Sequence, residues 1–136
     1  MRLVFLGPPG VGKGTQAKRV SAAHRLAHVS TGDMLREAIK QGTPVGLRAK
    51  AAMDRGELVP DTVVIDLIKD RLSHADAQRG CVLDGFPRTV EQARALDLML
   101  KAAGLALDAV FAFTCSREKS VERLSGRRTC RKCGAN

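Results

Sequence analysis

The chain is 136 residues long, 44% hydrophobic and 27% charged, enough apolar material for one packed domain and a composition that argues against disorder. No apolar run approaches the roughly 18 residues of a membrane-spanning helix, and Leu3–Leu6 before Gly7 is too short for a secretion segment. The formal charge of +9 favours polyanionic partners, but only four aromatics, all Phe, leave few platforms for nucleic-acid bases, so compact phosphates fit better.

In chain order, Leu3–Leu6 reads as a buried strand running into Gly7-Pro8-Pro9-Gly10, and a helix is expected from Lys13 to His24. Residues 28–30 form a short strand. Thr31 to Lys40 is a helix ended by Gly42, and Thr43-Pro44 opens another that ends near Gly56. Asp61 is positioned to cap a helix whose inner face carries Val64, Ile68 and Leu72. Cys81–Asp84 is a strand broken by Gly85 and Pro87. Thr89 with Gln92 makes a capping box for a helix that turns Ala93, Leu96 and Leu100 inward. Ala109–Cys115 is the last strand, and Ser116 caps a basic helix to about Arg127. Strands alternating with helices predict an α/β fold, a parallel sheet with helices on both faces. Residues 30–60 lack a strand between their two helices and read as an insertion at the sheet's C-terminal edge, where such sheets bind ligands.

The strongest motif is Gly7-Pro-Pro-Gly-Val-Gly-Lys13-Gly14-Thr15, set between a strand and a helix. It follows the phosphate-loop pattern through Lys13, with Gly14 where a hydroxyl is expected and Thr15 one place later. Glycines let backbone N–H groups converge on phosphate oxygens, the helix N-terminus adds partial positive charge and Lys13 adds a full one. In Ser30-Thr31-Gly-Asp33-Met-Leu-Arg36, Thr31 and Arg36 are spaced to grip a second phosphate; the competing reading is a helix cap followed by solvated charges.

Asp84-Gly85-Phe86-Pro87-Arg88, with Gln92 one turn on, ends a strand beside the phosphate loop. Asp84 there can hold Mg²⁺ through waters, Gly85 lets a flat base lie on the backbone, Arg88 can clamp phosphate, and Gln92 can read an adenine edge. A purely structural turn is the alternative. Residues 117–132 hold seven basic and two acidic residues, a net +5, and run into Cys130-Arg-Lys-Cys133-Gly. That pair is read as half of a zinc knuckle, with a redox pair and inert thiols as alternatives; the chain's four cysteines otherwise suit a reducing cytoplasm.

Together GPPGVGKGTQ (7–16), STGDMLR (30–36), LVPD (58–61), LDGFPRT (83–89) with Gln92, and VERLSGRR (121–128) resemble adenylate kinase, the bacterial type with a zinc-bearing lid. In that family Gly14-Thr15 is the usual form of the loop. Uridylate–cytidylate kinases share most of these segments but have Ser-Ala-Gly-Asp where this chain has Ser30-Thr31-Gly32-Asp33. The resemblance implies a P-loop NTPase-type core (1–29 and 61–125), a helical AMP-binding insertion (30–60) and the start of a lid (126–136). It implies that Gly10, Val11, Gly12, Lys13, Gly14 and Thr15, with Arg123 and Arg127, hold ATP. Thr31, Arg36, Glu57, Leu58, Val59, Gly85, Phe86, Pro87, Arg88 and Gln92 would hold AMP, with a cis bond between Phe86 and Pro87. Lys13, Arg88, Arg123 and Asp84 would serve catalysis, Asp84 through Mg²⁺, in Mg·ATP + AMP ⇌ 2 ADP. Cys130 and Cys133 would be half of a structural Zn²⁺ site.

Family members continue through the rest of the lid, a further strand and a C-terminal helix. The expectation is therefore an incomplete lid, an unpaired edge on the strand from 109, weak nucleotide binding and slow turnover that zinc does not restore. The remaining expectations are a cytoplasmic monomer acting on ATP, AMP and ADP, without membrane or nucleic acid. A binding-only nucleotide fragment and a basic nucleic-acid module are the other two readings.

Overall fold

Strand β1 (Arg2–Leu6) is central because both its neighbours pair with it in parallel: β3 (Cys81–Asp84) on one side and β4 (Ala109–Ala112) on the other. β2 (Ala27–Ser30) pairs in parallel with the outer side of β3, giving the order β2-β3-β1-β4. The computed structural model describes residues 1–55, 57 and 59–128. This is an α/β sheet of the P-loop NTPase type.

The two-residue alternation of a strand splits the core in two. Leu3, Phe5 and Val82 point to one face and pack with Ala17 and Val20 of α1 (Lys13–His24). Val4, Val29, Cys81 and Leu83 point to the other. There they meet α2 (Thr31–Lys40), α4 (Asp61–Ser73) and α6 (Val90–Ala102), together with the short α5 (Ala75–Arg79). Ile68 and Phe86, both at 0% exposure, sit at the centre of this second core. α3 (Pro44–Asp54) packs on α2, and Ala49 and Ala52 complete the buried seam. Chain connections leave β1 and β3 towards opposite edges, β1 through α1 to β2 and β3 through α6 to β4. The crevice at their C-terminal ends is the topological switch point of the sheet.

Most expected elements fall where the local signals place them, and Ser30, Thr89 and Ser116 cap α2, α6 and α7 (Arg117–Ser125) by accepting the Asp33, Gln92 and Lys119 N–H groups. Four details differ. The N-cap of α4 is Pro60, without a side-chain cap, and Asp61 is its first helical residue with its carboxylate committed elsewhere. Gln92 does not close the capping box back onto Thr89; its amide is used by Arg88 and Asp61. α5 has no counterpart among the sequence expectations. β4 stops at Ala112 because β1 ends at Leu6 and gives no further ladder partner after Leu6 O accepts the Phe113 N–H at 2.8 Å. Val110 and Phe111 on this edge strand are 53% and 47% exposed. Among the described residues, no helix is long and apolar enough to cross a membrane.

Candidate functional site

The crevice at the sheet's C-terminal ends opens into a cleft of about 790 Å³. Its lining collects Lys13, Lys18, Arg19, Arg36, Arg88, Arg123 and Arg127 against Asp33 and Asp84, so the local charge is strongly positive. These residues come from four separate parts of the chain.

On the β1 side, the loop from Gly7 leads into α1, whose N-cap Gly12 has a left-handed backbone (φ 101°) and no side-chain cap. The first N–H groups of α1 thus remain available at the cleft, with Gly12, Lys13, Gly14 and Thr15 all on its lining. Lys13 Nζ donates to Gly7 O at 2.8 Å and reaches Pro8 O at 3.4 Å. Burial pushes the Lys13 ammonium below its ordinary value, an effect that Asp84 opposes and Arg88 reinforces. From α7, Arg123 Nη1 reaches the carbonyls of Gly10 and Val11, each at 3.4 Å.

Asp84 ends β3 on the α1 face, by the same alternation that points Val82 there. A Cβ placed on Gly14 would lie 3.2 Å from Asp84 Oδ2. A side chain at position 14 would therefore crowd the Asp84 carboxylate. His28, on the same face of β2, brings Nε2 within 3.5 Å of Asp84 Oδ2, and that buried nitrogen has no hydrogen-bond partner.

On the other side of the cleft two side chains converge on one carbonyl. Gly85 O accepts from Thr31 Oγ1 and from Arg88 Nε, both at 2.8 Å. Arg88 Nη2 also lies 3.4 Å from Thr31 Oγ1. Gly85 has φ 78°, and a Cβ there would stand 3.0 Å from both Arg88 Nη2 and Thr31 Oγ1, so the position accepts only glycine without strain. The Phe86–Pro87 bond is cis. Phe86 is 0% exposed, backbone included, and neither Phe86 nor Pro87 is on the lining of the cleft or of the small pocket beside it. Arg36 is hydrogen-bonded to Asp33. Burial works to raise the Asp33 carboxyl, but Arg36, with Ser30 and Lys18, holds it below its ordinary value.

Gln92 lines a small pocket with Thr31, Leu35, Val59, Val64 and Arg88. Its Oε1 accepts the Arg88 N–H at 2.8 Å, and its Nε2 donates to Asp61 Oδ1 at 2.7 Å. Glu57 is exposed and paired with Arg55, and Val59 is buried. Leu58, Cys130 and Cys133 lie outside the described residues. Among the described residues, no group of three or more His, Cys, Asp and Glu is placed to hold a metal.

The structure therefore brings Gly10 to Thr15, Arg36, Asp84, Gly85, Arg88, Arg123 and Arg127 to one cleft, with Thr31, Val59 and Gln92 in the small pocket that shares Arg88 with it. Sequence reasoning did not assign sites to Lys18, Arg19, His28 or Asp61. Strand parity was a usable signal for His28, since it stands opposite Val82 in the register. Lys18 and Arg19 follow the phosphate loop on the next turn of α1, a position that helical spacing exposes.

Comparison with known proteins agrees with this architecture. The adenylate kinase family model matches residues 5–132. An adenylate kinase of Archaeoglobus fulgidus is 57% identical over 99% of this chain and 62% of its own length. One from Desulforamulus reducens is 56% identical over 100% of this chain and 64% of its own, and one from Carboxydothermus hydrogenoformans is 53% identical over 99% and 63%. The chain thus spans somewhat under two thirds of the length of these relatives. With a family model matched from the first strand to beyond the last described helix, and relatives identical at more than half of the aligned positions, the chain belongs to the adenylate kinase family.

Proposed function

We propose that this chain acts in phosphoryl transfer between adenine nucleotides, Mg·ATP + AMP ⇌ 2 ADP. The observation that carries the reading is the single positive cleft joining the Lys13 loop and Asp84 to the Thr31–Gly85–Arg88 cluster, with Arg36 on the same lining. Two phosphate-gripping sets face one space, as a reaction between two phosphorylated molecules requires.

In this reading Gly10, Val11, Gly12, Lys13, Gly14 and Thr15 wrap the ATP phosphates, and Arg123 and Arg127 close on them from α7. Thr31, Arg36 and Arg88 hold the AMP phosphate, the backbone of Glu57–Val59 and Gly85–Pro87 supports AMP, and Gln92 reads its base. A phosphate oxygen of AMP attacks the γ-phosphorus in line while the bond to the β–γ bridging oxygen breaks, so no enzyme nucleophile is needed. Lys13, Arg88 and Arg123 offset the charge on the transferring group, and catalysis is positioning plus charge neutralisation. Asp84 suits a hydrated Mg²⁺, because its carboxylate lines the cleft beside Lys13 and offers hard oxygen donors. That ion would neutralise phosphate oxygens when bound. Zinc at Cys130 and Cys133 needs two further ligands to complete a tetrahedral site.

Residues 1–29 and 61–125 then serve as the phosphate-loop core, 30–60 as the AMP-binding insertion and 126–136 as the start of the lid. Free thiols at Cys81 and Cys115 support a cytoplasmic setting, with a monomer acting on ATP, AMP and ADP rather than on nucleic acid. Because the relatives are longer, binding and turnover are tested separately. A coupled assay for ADP formed only when ATP and AMP are both present is run beside titration calorimetry with each nucleotide. ADP formation supports the transfer reading, and binding of both nucleotides without ADP supports a binding unit. Failure to bind either one overturns both.

A further inference from the structure

We propose that Asp61 is a positioning residue that fixes the orientation of the Gln92 amide and so sets which purine edge the pocket accepts. The inference rests on the reading above in which Gln92 faces the base of the nucleoside monophosphate.

A glutamine amide presents a donor and an acceptor in either of two orders, related by a half-turn of its end group. Gln92 is 3% exposed, so its end group depends chiefly on its protein partners. Each of its two protein partners tolerates only one order. The backbone N–H of Arg88 can only donate, and it faces Oε1 at 2.8 Å. The carboxylate of Asp61 can only accept, and Oδ1 receives Nε2 at 2.7 Å. A flipped amide would set oxygen against carboxylate and NH₂ against N–H, leaving buried polar groups facing like partners.

Asp61 is itself held. Its second oxygen accepts the Thr89 hydroxyl at 2.6 Å, and that hydroxyl in turn accepts the Gln92 backbone N–H at 3.2 Å as the cap of α6. The order therefore runs in one direction from the α6 cap through Asp61 to the amide. Gln92 keeps one Nε2–H and one Oε1 lone pair unused by these bonds, and it lines a pocket whose other walls include Leu35 and Val64. A 6-aminopurine offers a donor at N6 beside an acceptor at N1, and a 6-oxopurine offers the reverse. An amide locked in one order pairs with the first and mismatches the second. An amide free to flip serves both.

The test uses the chain as it is, with AMP and IMP as the 6-amino and 6-oxo probes in titration calorimetry. Asp61→Asn keeps the shape but replaces an acceptor-only carboxylate by an amide that can meet either order of Gln92, leaving the Arg88 N–H as the one remaining one-way partner, and the expected result is a fall of about tenfold in the AMP-over-IMP preference. Gln92→Leu is run in parallel. Loss of the preference in Q92L with full retention in D61N overturns this proposal and leaves the base-reading role of Gln92 standing. Retention of the preference in Q92L overturns that role, and this proposal with it. If D61N does not fold, the unmodified chain decides. A through-hydrogen-bond coupling between Gln92 Nε2 and Asp61 Cγ reports the bond by which Asp61 sets the order, and its absence in a folded sample overturns the proposal.

Discussion

Lys13 Nζ donates to Gly7 O at 2.8 Å, closing the loop on the carbonyl at its own entrance. Donor and acceptor stand six positions apart, so the ammonium braces the ring of backbone that would surround a phosphate. A bound phosphate exchanges a neutral carbonyl for an anionic partner, and charge-assisted bonds are roughly twice as strong as neutral ones. Lys13→Ala is expected to keep the thermal transition near that of the parent, because the lysine lies on the cleft, while removing most ATP affinity and all measurable transfer. Unchanged ATP binding by calorimetry would count against the assigned role.

Gly85→Ala tests the opposite wall. Its left-handed backbone costs an L-residue about 1–2 kcal/mol, and the new methyl would press on Thr31 Oγ1 and Arg88 Nη2. AMP affinity should fall sharply and stability modestly, with ATP affinity much less affected. Parallel losses for both nucleotides would show that the two walls are not separable.

Ile68, at 0% exposure, packs from α4 into the larger core away from the cleft. Ile68→Ala should lower the unfolding free energy by about 2–5 kcal/mol in denaturant titrations, through lost transfer energy and a residual cavity. A loss below 0.5 kcal/mol, the range of about ±0.5 for surface changes, would show that the site is not packed as described.

Asp76 carries the clearest pH dependence. A two-pronged hydrogen bond from Arg71, at 2.9 and 2.6 Å, lowers its carboxyl from an ordinary 3.8 to about 2. A depressed folded-state value stabilises the chain above the ordinary value, and that contribution disappears as pH falls from near 4 towards 2. The pair is partly open to solvent, so the effect is small. Asp76→Asn should lower the melting temperature at neutral pH and flatten its decline over that acid window. A variant with the parental pH profile would remove the Arg71 contact from consideration.

Local physics made much of this molecule legible in its sequence. A strand meeting glycines and a lysine, then a helix, is determined within residues 2–24, and the Ser30, Thr89 and Ser116 caps act over three residues. The residues proposed to grip phosphate are likewise named by such short-range patterns. Only the tertiary structure decided which distant segments meet. The order β2-β3-β1-β4 inserts β3 beside β1, and that insertion alone carries Asp84 to within contact of Gly14, 70 residues away in the chain. Asp61 shows the limit most plainly. As a helix-start acid it has the local pattern of a cap, yet α4 packs against α6, and donors from the half-buried Thr89 and the buried Gln92 claim its carboxylate. A buried donor left unpaired costs about 1–3 kcal/mol, which exceeds the typical ~1 kcal/mol of a cap, so the long-range partners win.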